Sequence, residues 1–340
     1  MIRSKSIQSF VSFAKPTRFL RATTVTTLRR STLSVSSSSR PAFGSSPTTS
    51  LSLSFSTISN LKMTASPPTN AQIAEAFSPG VLSSLRDFWF HGLSEEDLIL
   101  PPLSAAARWF QRNEEFDRAC YSNFKTQISL MQSESLTIPS LIEAISANYP
   151  EGDPRDPTII SPLDWLSLII LFDQIPRNVF RDADAKIVFT VTDPKALDLA
   201  CYVIKYIVPL QPPVWNRLAY RFWFYLPLEH SEDPKVQDEC VHEHFYMFRD
   251  FKGLIAFSEE NIAKDSDEIQ RCYKVIKERK DDLAIWEDVL MEKYVHGHKR
   301  IIDRFGRYPH RNEVLGREST EEEVRYLTEG GETFGGKKAE

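Results

Sequence analysis

Apolar positions recur every three to four residues along nearly the whole chain after Met63, and each run opens at a cap and closes at a breaker. Ser78-Pro79 opens the first run, with Val81, Leu82, Leu85, Phe88 and Trp89 on one face, and His91-Gly92 closes it. Asn113 opens a second, where Phe116, Cys120, Phe124 and Ile128 repeat at four-residue intervals, and a third, short one starts at Pro139. The loop at 149–159 (YPEGDPRDPTI) reads as turn-rich and exposed.

Ser161-Pro162 then starts the helix PLDWLSLIILFDQ, whose apolar face of Leu166, Ile169 and Ile170 is extended by Asp173. A buried carboxylate needs a partner, and the IPRN turn predicted to follow offers Arg177 and Asn178. The only strand-like run is 186–192 (KIVFTVT). Alone it cannot make a sheet, so it is predicted to be an extended connection or minor hairpin.

Asp193-Pro194 caps the next helix, and Pro212-Pro213 precedes VWNRLAYRFWFYL, with Trp215, Leu218, Phe222 and Tyr225 predicted to face the core. Pro227 is expected to stop it, leaving Glu229, His230, Ser231 and Glu232 in a turn. From Asp233-Pro234 a helix is expected to turn Val236, Cys240, Val241, Phe245 and Phe248 inward and to break at Gly253. One further helix follows Ser266, and a longer one spans 282–305, with Leu283, Trp286, Leu290 and Tyr294 inward. Thr320-x-x-Glu323 is a capping box for the last. The sum predicts an all-α fold of antiparallel helical hairpins, stacked as a bundle or a short, degenerate solenoid.

Charge is unevenly spread. Residues 1–62 hold nine of the 41 Lys and Arg and none of the 46 Asp and Glu, so the remainder is strongly acidic. A basic, Ser-rich, acid-free start has the composition of an organelle transit peptide, and its Arg spacing points to the mitochondrion. A product starting at Met63 would instead be cytoplasmic. The expected organisation is 1–62 as transit peptide or disordered extension, 63–78 as linker, 79–335 as helical domain and 336–340 as disordered tail. The acidic domain argues against nucleic acid as a partner. No apolar run approaches the roughly 18 residues of a membrane span. The four cysteines lack C-x-x-C spacing and read as reduced, mostly buried thiols. Nothing in the pattern assigns an oligomeric state.

Candidate chemistry gathers late in the chain. His242 and His244 are two apart, as are His296 and His298, so neither pair can close on one metal from a single helix face. His298 shares a face with Ile301, Ile302 and Phe305 and should point inward, while His296 lies with Arg300 and Asp303 on the wetter side. Arg304, Arg307, Arg311 and Arg317 crowd around His310 and Asn312. Such a group can bind an anion, or it can be an internal lock tying Asp173, Glu229 and Glu232 to neighbouring helices. An enzyme would need a base with an orienting acid, and His230 beside Glu229 or His310 with Asp173 are the candidates. No Walker loop, dinucleotide fingerprint, G-x-S-x-G or H-E-x-x-H is present, so no metal and no cofactor is assigned.

The blocks DFWF (87–90), WF (109–110), ILFDQIPRNVFR (170–181), YLPLEHSED (225–233), HKRIIDRFGRYPHRNEVLGREST (298–320) and YLTEGG (326–331) resemble, in order, the proteins catalogued as domain of unknown function 924. The resemblance covers about residues 80 to 335 and implies an all-helical, tetratricopeptide-like fold. It carries no activity with it. The matching blocks fall on Asp173, Gln174, Arg177, Asn178, Glu229 and His230, then on His298, Arg304, Gly306, Arg307, His310, Arg311, Asn312 and Arg317. The chain departs from the compact form of the family in its first 62 residues and in longer inserts at 146–158 and 182–193. Three functional readings stay open: a binding or adaptor module for a small anion or acidic peptide segment, a hydrolase or transferase of a phosphorylated or acylated small molecule with His230 or His310 as base, and a purely structural polar lock.

Overall fold

The helix Pro162–Val179 is buried on nearly every side, with fourteen of its 18 residues out of solvent. Such a helix must be covered all round. The helices Pro79–Trp89, Glu114–Met131 and Asp193–Lys205, with the short Leu226–Glu229 turn, do this. The computed structural model describes residues 67–149, 159–206 and 208–334, and these are all-α, with no strand among them. The expected transit peptide, the tail and most of the 149–159 loop lie outside the described residues.

Most local signals act where they were read, but Ser78 precedes its helix without a side-chain hydrogen bond. Asp193 lies in the first turn of the helix it was expected to cap, where it pairs with Arg177 instead. The side chains of Asn113, Ser161, Asp233, Ser266 and Thr320 each accept a backbone N–H of the first helical turn. Thr320 and Glu323 complete the capping box. The expected linker at 63–78 is helical in part. Asn70–Ala76 forms a capped helix against Ile138–Ser146, and Ile73 and Phe77 are buried. Those apolar residues gain more by packing than a linker could.

Several other expectations are corrected. Pro176 does not end its helix, which runs on to Val179. The N–H that proline lacks is lost at the last turn, where the helix survives it. Arg177 and Asn178 therefore ride on a helix, and Arg177 sits one turn after Asp173 on the same face. The 186–192 run is helical, with a π-helical turn at Val188–Thr192, because only helices surround it and no strand offers it a ladder. The helix expected from Val214 begins at Leu218, leaving Trp215 half-buried in a turn, and Pro227 sits in the first turn of Leu226–Glu229 rather than stopping anything. Glu229 is thus a buried helix terminus.

A further correction is a change of face. Along Pro234–Ile255 the buried residues are Gln237, Cys240, His244, Met247, Phe248, Phe251 and Leu254, whereas Phe245 is 56% exposed. Gly253 lies inside this helix without breaking it. The long 282–305 helix exists, but a π-helical turn at Val289–Val295 interrupts it. One extra residue per turn shifts the phase, so Val295 is buried where Tyr294 was expected, and Tyr294 is half-buried. His298, Ile301 and Ile302 then follow inward, as the local spacing predicts.

An aromatic core holds these layers together. Trp223 packs edge-on to both Trp89 and Trp109, with ring centroids 5.3 Å apart in each pair. Buried indoles need acceptors, and Trp109 finds Trp89 O at 3.1 Å and Trp286 finds Pro101 O at 2.7 Å. All four cysteines are free thiols, and only Cys201 is exposed.

Candidate functional site

The helix ends and turns converge on a cavity of about 920 Å³. Arg177 and Asn178 come from the core helix, Glu229 and His230 from the short helix after Pro227, His298 from the helix beyond the π-helical turn, and His310 and Arg311 from the turn after Gly306. Gly306 has φ 67°, a left-handed C-cap that glycine adopts without steric penalty. It turns the chain from the helix His296–Phe305 into the RYPHRN segment.

Asp173 lies behind the wall, 1% exposed, and holds three partners. Its Oδ1 accepts from His230 Nδ1 at 2.8 Å and from Arg177 at 3.4 Å, and its Oδ2 accepts from Gln174 at 2.6 Å. Burial opposes its charge, but His230, Arg177 and these hydrogen bonds outweigh burial and hold the carboxyl below its ordinary range. Asp173 can only accept, so the His230 proton sits on Nδ1 and the Nε2 lone pair is left free. Burial, then Arg177, keeps His230 neutral against the pull of Asp173. The pairing differs from both sequence candidates: the carboxylate bonded to His230 is that of Asp173, not Glu229, and His310 is not bonded to Asp173.

Arg177 also reaches Asp193 at 2.5 Å. The other oxygen of Asp193 stands 3.8 Å from Arg311, whose guanidinium lies between the rings of Phe189 and Tyr308 at 4.5 Å from each centroid. Arg311 is 6% exposed and its Nε has no hydrogen-bond partner. A buried guanidinium held by two rings with a donor unused is an uncommon arrangement. Beside it, His310 Nδ1 is also buried without a partner, and burial, Arg311 and Arg177 push this imidazole down to about 3.

His298 donates Nδ1–H to Tyr294 O at 2.9 Å, because a carbonyl can only accept, and its ring stacks on Phe334 at 3.6 Å. Burial drives it well below its usual value, so it is neutral. The same logic applies to His244, a residue the sequence reading set aside. Its Nδ1 donates to Cys240 O at 3.1 Å and its Nε2 faces Glu229 Oε1 at 3.3 Å. Burial, then Asp173, raises Glu229 well above its usual value. A neutral Glu229 presents an O–H to the His244 lone pair, which accounts for two atoms otherwise without partners. The signal for His244 was the spacing 237, 240, 244, 247 and 251. It was hidden by counting Phe245 as inward.

Among the described residues, two groups bring potential metal donors within 4.8 Å of one another: Asp173, Asp193 and His230, and Glu229, Cys240 and His244. In the first, Arg177 already supplies positive charge to both carboxylates. In the second, burial raises the Cys240 thiol far above its usual value, so ligation there would have to overcome two protonated donors.

The remaining sequence candidates stand apart as a C-terminal lock. Arg317 grips Glu232 with two hydrogen bonds, at 2.7 and 3.1 Å. Arg307 grips Glu323 at 2.6 and 2.7 Å, Asn312 donates to Glu323 at 3.3 Å and Ser319 at 3.0 Å, and Arg304 pairs with Glu322 at the surface. The Arg307 bonds hold the Glu323 carboxyl down, from 4.5 to about 2. A depressed folded value means that this contribution is whole above the unfolded value and is lost as pH falls from 4.5 towards about 2. Glu323→Gln is therefore expected to flatten the acid limb of the stability curve, read from urea midpoints at pH of about 5, 4 and 3. An unchanged slope would remove this carboxylate from the acid response.

An all-helical domain with a cavity lined by neutral imidazoles and a partly unsatisfied arginine is the class that fold and site define. The chain belongs to a known family: residues 85–331 match the family described as bacterial protein of unknown function, DUF924. A solved protein of unknown function from Agrobacterium tumefaciens is similar at 23% identity, over 74% of this chain and 98% of that one, with a TM-score of 0.41. No curated protein matches the chain.

Proposed function

We propose that the protein is a hydrolase or transferase acting on an anionic small molecule, with His230 as general base, Asp173 as its orienting acid and Arg311 as the anchor for the anion. One observation carries this reading: the 2.8 Å bond between Asp173 and His230 Nδ1, with the ring on the cavity wall. That bond fixes the tautomer and leaves Nε2 to take a proton. Arg311 adds a buried cation with an unused donor in the same cavity. A binding or adaptor module for a small anion or acidic peptide would use the same anchor. The oriented imidazole favours chemistry, since binding alone does not need it. The purely structural reading suits Arg304, Arg307, Asn312 and Arg317, whose carboxylate partners occupy them.

The test is a panel of phosphate monoesters and carboxylic esters incubated with the full chain, alongside thermal shift with the corresponding free anions. Saturable product release and an anion-dependent rise in Tm that is lost in Arg311→Met are expected. If anions raise Tm but no ester turns over, the binding-module reading replaces this one. If neither occurs, both fall.

Two further readings are proposals of the same standing. Residues 1–62 would direct the chain to the mitochondrion, supported by their nine basic and no acidic residues; a fluorescent fusion of 1–62 that stays diffuse in the cytosol would defeat this. The helical hairpins would form a degenerate tetratricopeptide-like stack, supported by packing of Pro234–Ile255 on His296–Phe305.

A further inference from the structure

We infer that the ligand of this cavity carries an apolar body at least as large as one ring beside its anionic group, an aryl group or a long acyl chain, and is not a compact anion. This rests on the functional reading above and narrows its substrate class. One wall of the cavity is a continuous line of rings. Trp109 and Phe110 are 6.5 Å apart, Phe110 and Tyr294 5.7 Å, and Tyr294 and Phe334 6.5 Å. Phe334 then stacks on His298, and His298 stands 6.2 Å from His230. All six rings line the cavity, so the wall leads to the base.

Phe110, Tyr294 and Phe334 on this wall are only half-buried. Apolar surface left facing water is unfavourable, and a ligand that covers it gains in proportion to the area covered. A volume of about 920 Å³ also far exceeds what a phosphate or acetate ion fills; pockets of this size take ligands with many heavy atoms. The anionic group is the part that Arg311 recognises, and phosphate and carboxylate share the planar or tetrahedral oxygens that a guanidinium can grip. The π-helical turn at Val289–Val295 bears on this directly, because it leaves Tyr294 half-buried on the wall and its carbonyl on His298.

Calorimetry on the full chain tests this with two matched pairs, methyl against phenyl phosphate and acetate against benzoate. The phenyl member of at least one pair is expected to bind about tenfold or more tightly than its small partner. In Tyr294→Ala, and in the milder Phe334→Leu, that ratio is expected to fall below about threefold with Tm close to the wild type. The pair that responds identifies the head group. Equal binding of small and phenyl members would overturn the inference while leaving the anion site standing. No binding by any of the four would sink the functional reading as well. Phenol binding as tightly as phenyl phosphate would overturn the inference too, since the anion would then contribute nothing.

Discussion

His230→Asn is expected to lower turnover by about 10²–10⁴-fold, the usual contribution of a general base. Asparagine is the informative replacement, because its amide nitrogen occupies roughly the place of Nδ1 and can still donate to Asp173. Only the Nε2 lone pair is deleted. Asp173 also keeps Gln174 and Arg177, so the buried carboxylate is not left bare. Stability should therefore change little, and the loss should appear in kcat rather than in Tm. If the variant keeps turnover within about threefold of the wild type, proton transfer does not run through His230.

Asp173→Ala is expected to cost about 3–5 kcal/mol of folding stability, measured as a shift of the urea midpoint at an unchanged slope. The reason is geometric. One carboxylate, 1% exposed, satisfies His230, Gln174 and Arg177, and alanine leaves all three groups, one buried and two half-buried, short of an acceptor. Arg177 would keep Asp193, which sets the lower end of the range. Arg304→Ala provides the contrast within the same sequence blocks. Its pair with Glu322 is half-exposed on both sides, so less than about 1 kcal/mol should be lost. Equal costs for the two substitutions would mean that burial does not set the strength of these pairs.

The helical nature of the domain was readable because helix signals are local. A cap such as Asn113 or Thr320 acts on the two or three residues that follow it, and the spacing of Phe124 and Ile128 needs no partner to be recognised. The burial of His298 was readable for the same reason, since Ile301 and Ile302 lie one turn away. The need of Asp173 for a partner was also readable, and Arg177 was named, although from an expected turn and not from its place four residues on along the same helix. Failures came where a neighbour decided the outcome. The β-branched run 186–192 has strand propensity, but among helices it has no backbone partner outside its own turn. The π-helical turn at Val289–Val295 moved the inward face by one residue, and no sequence period announces such a turn.

The sequence by itself therefore determined the helices, most of their starts and the set of polar residues available for chemistry, because these follow from caps, spacing and residue type within a few positions. Only the tertiary structure decided how that set divides. It joined His230 to Asp173 across 57 residues, put Glu229 against His244, seated Arg311 between Phe189 and Tyr308, and gave Arg304, Arg307 and Arg317 to surface or lock carboxylates. Which charge meets which depends on packing between segments far apart in the chain, and burial then sets which of them are satisfied and which are left facing a cavity.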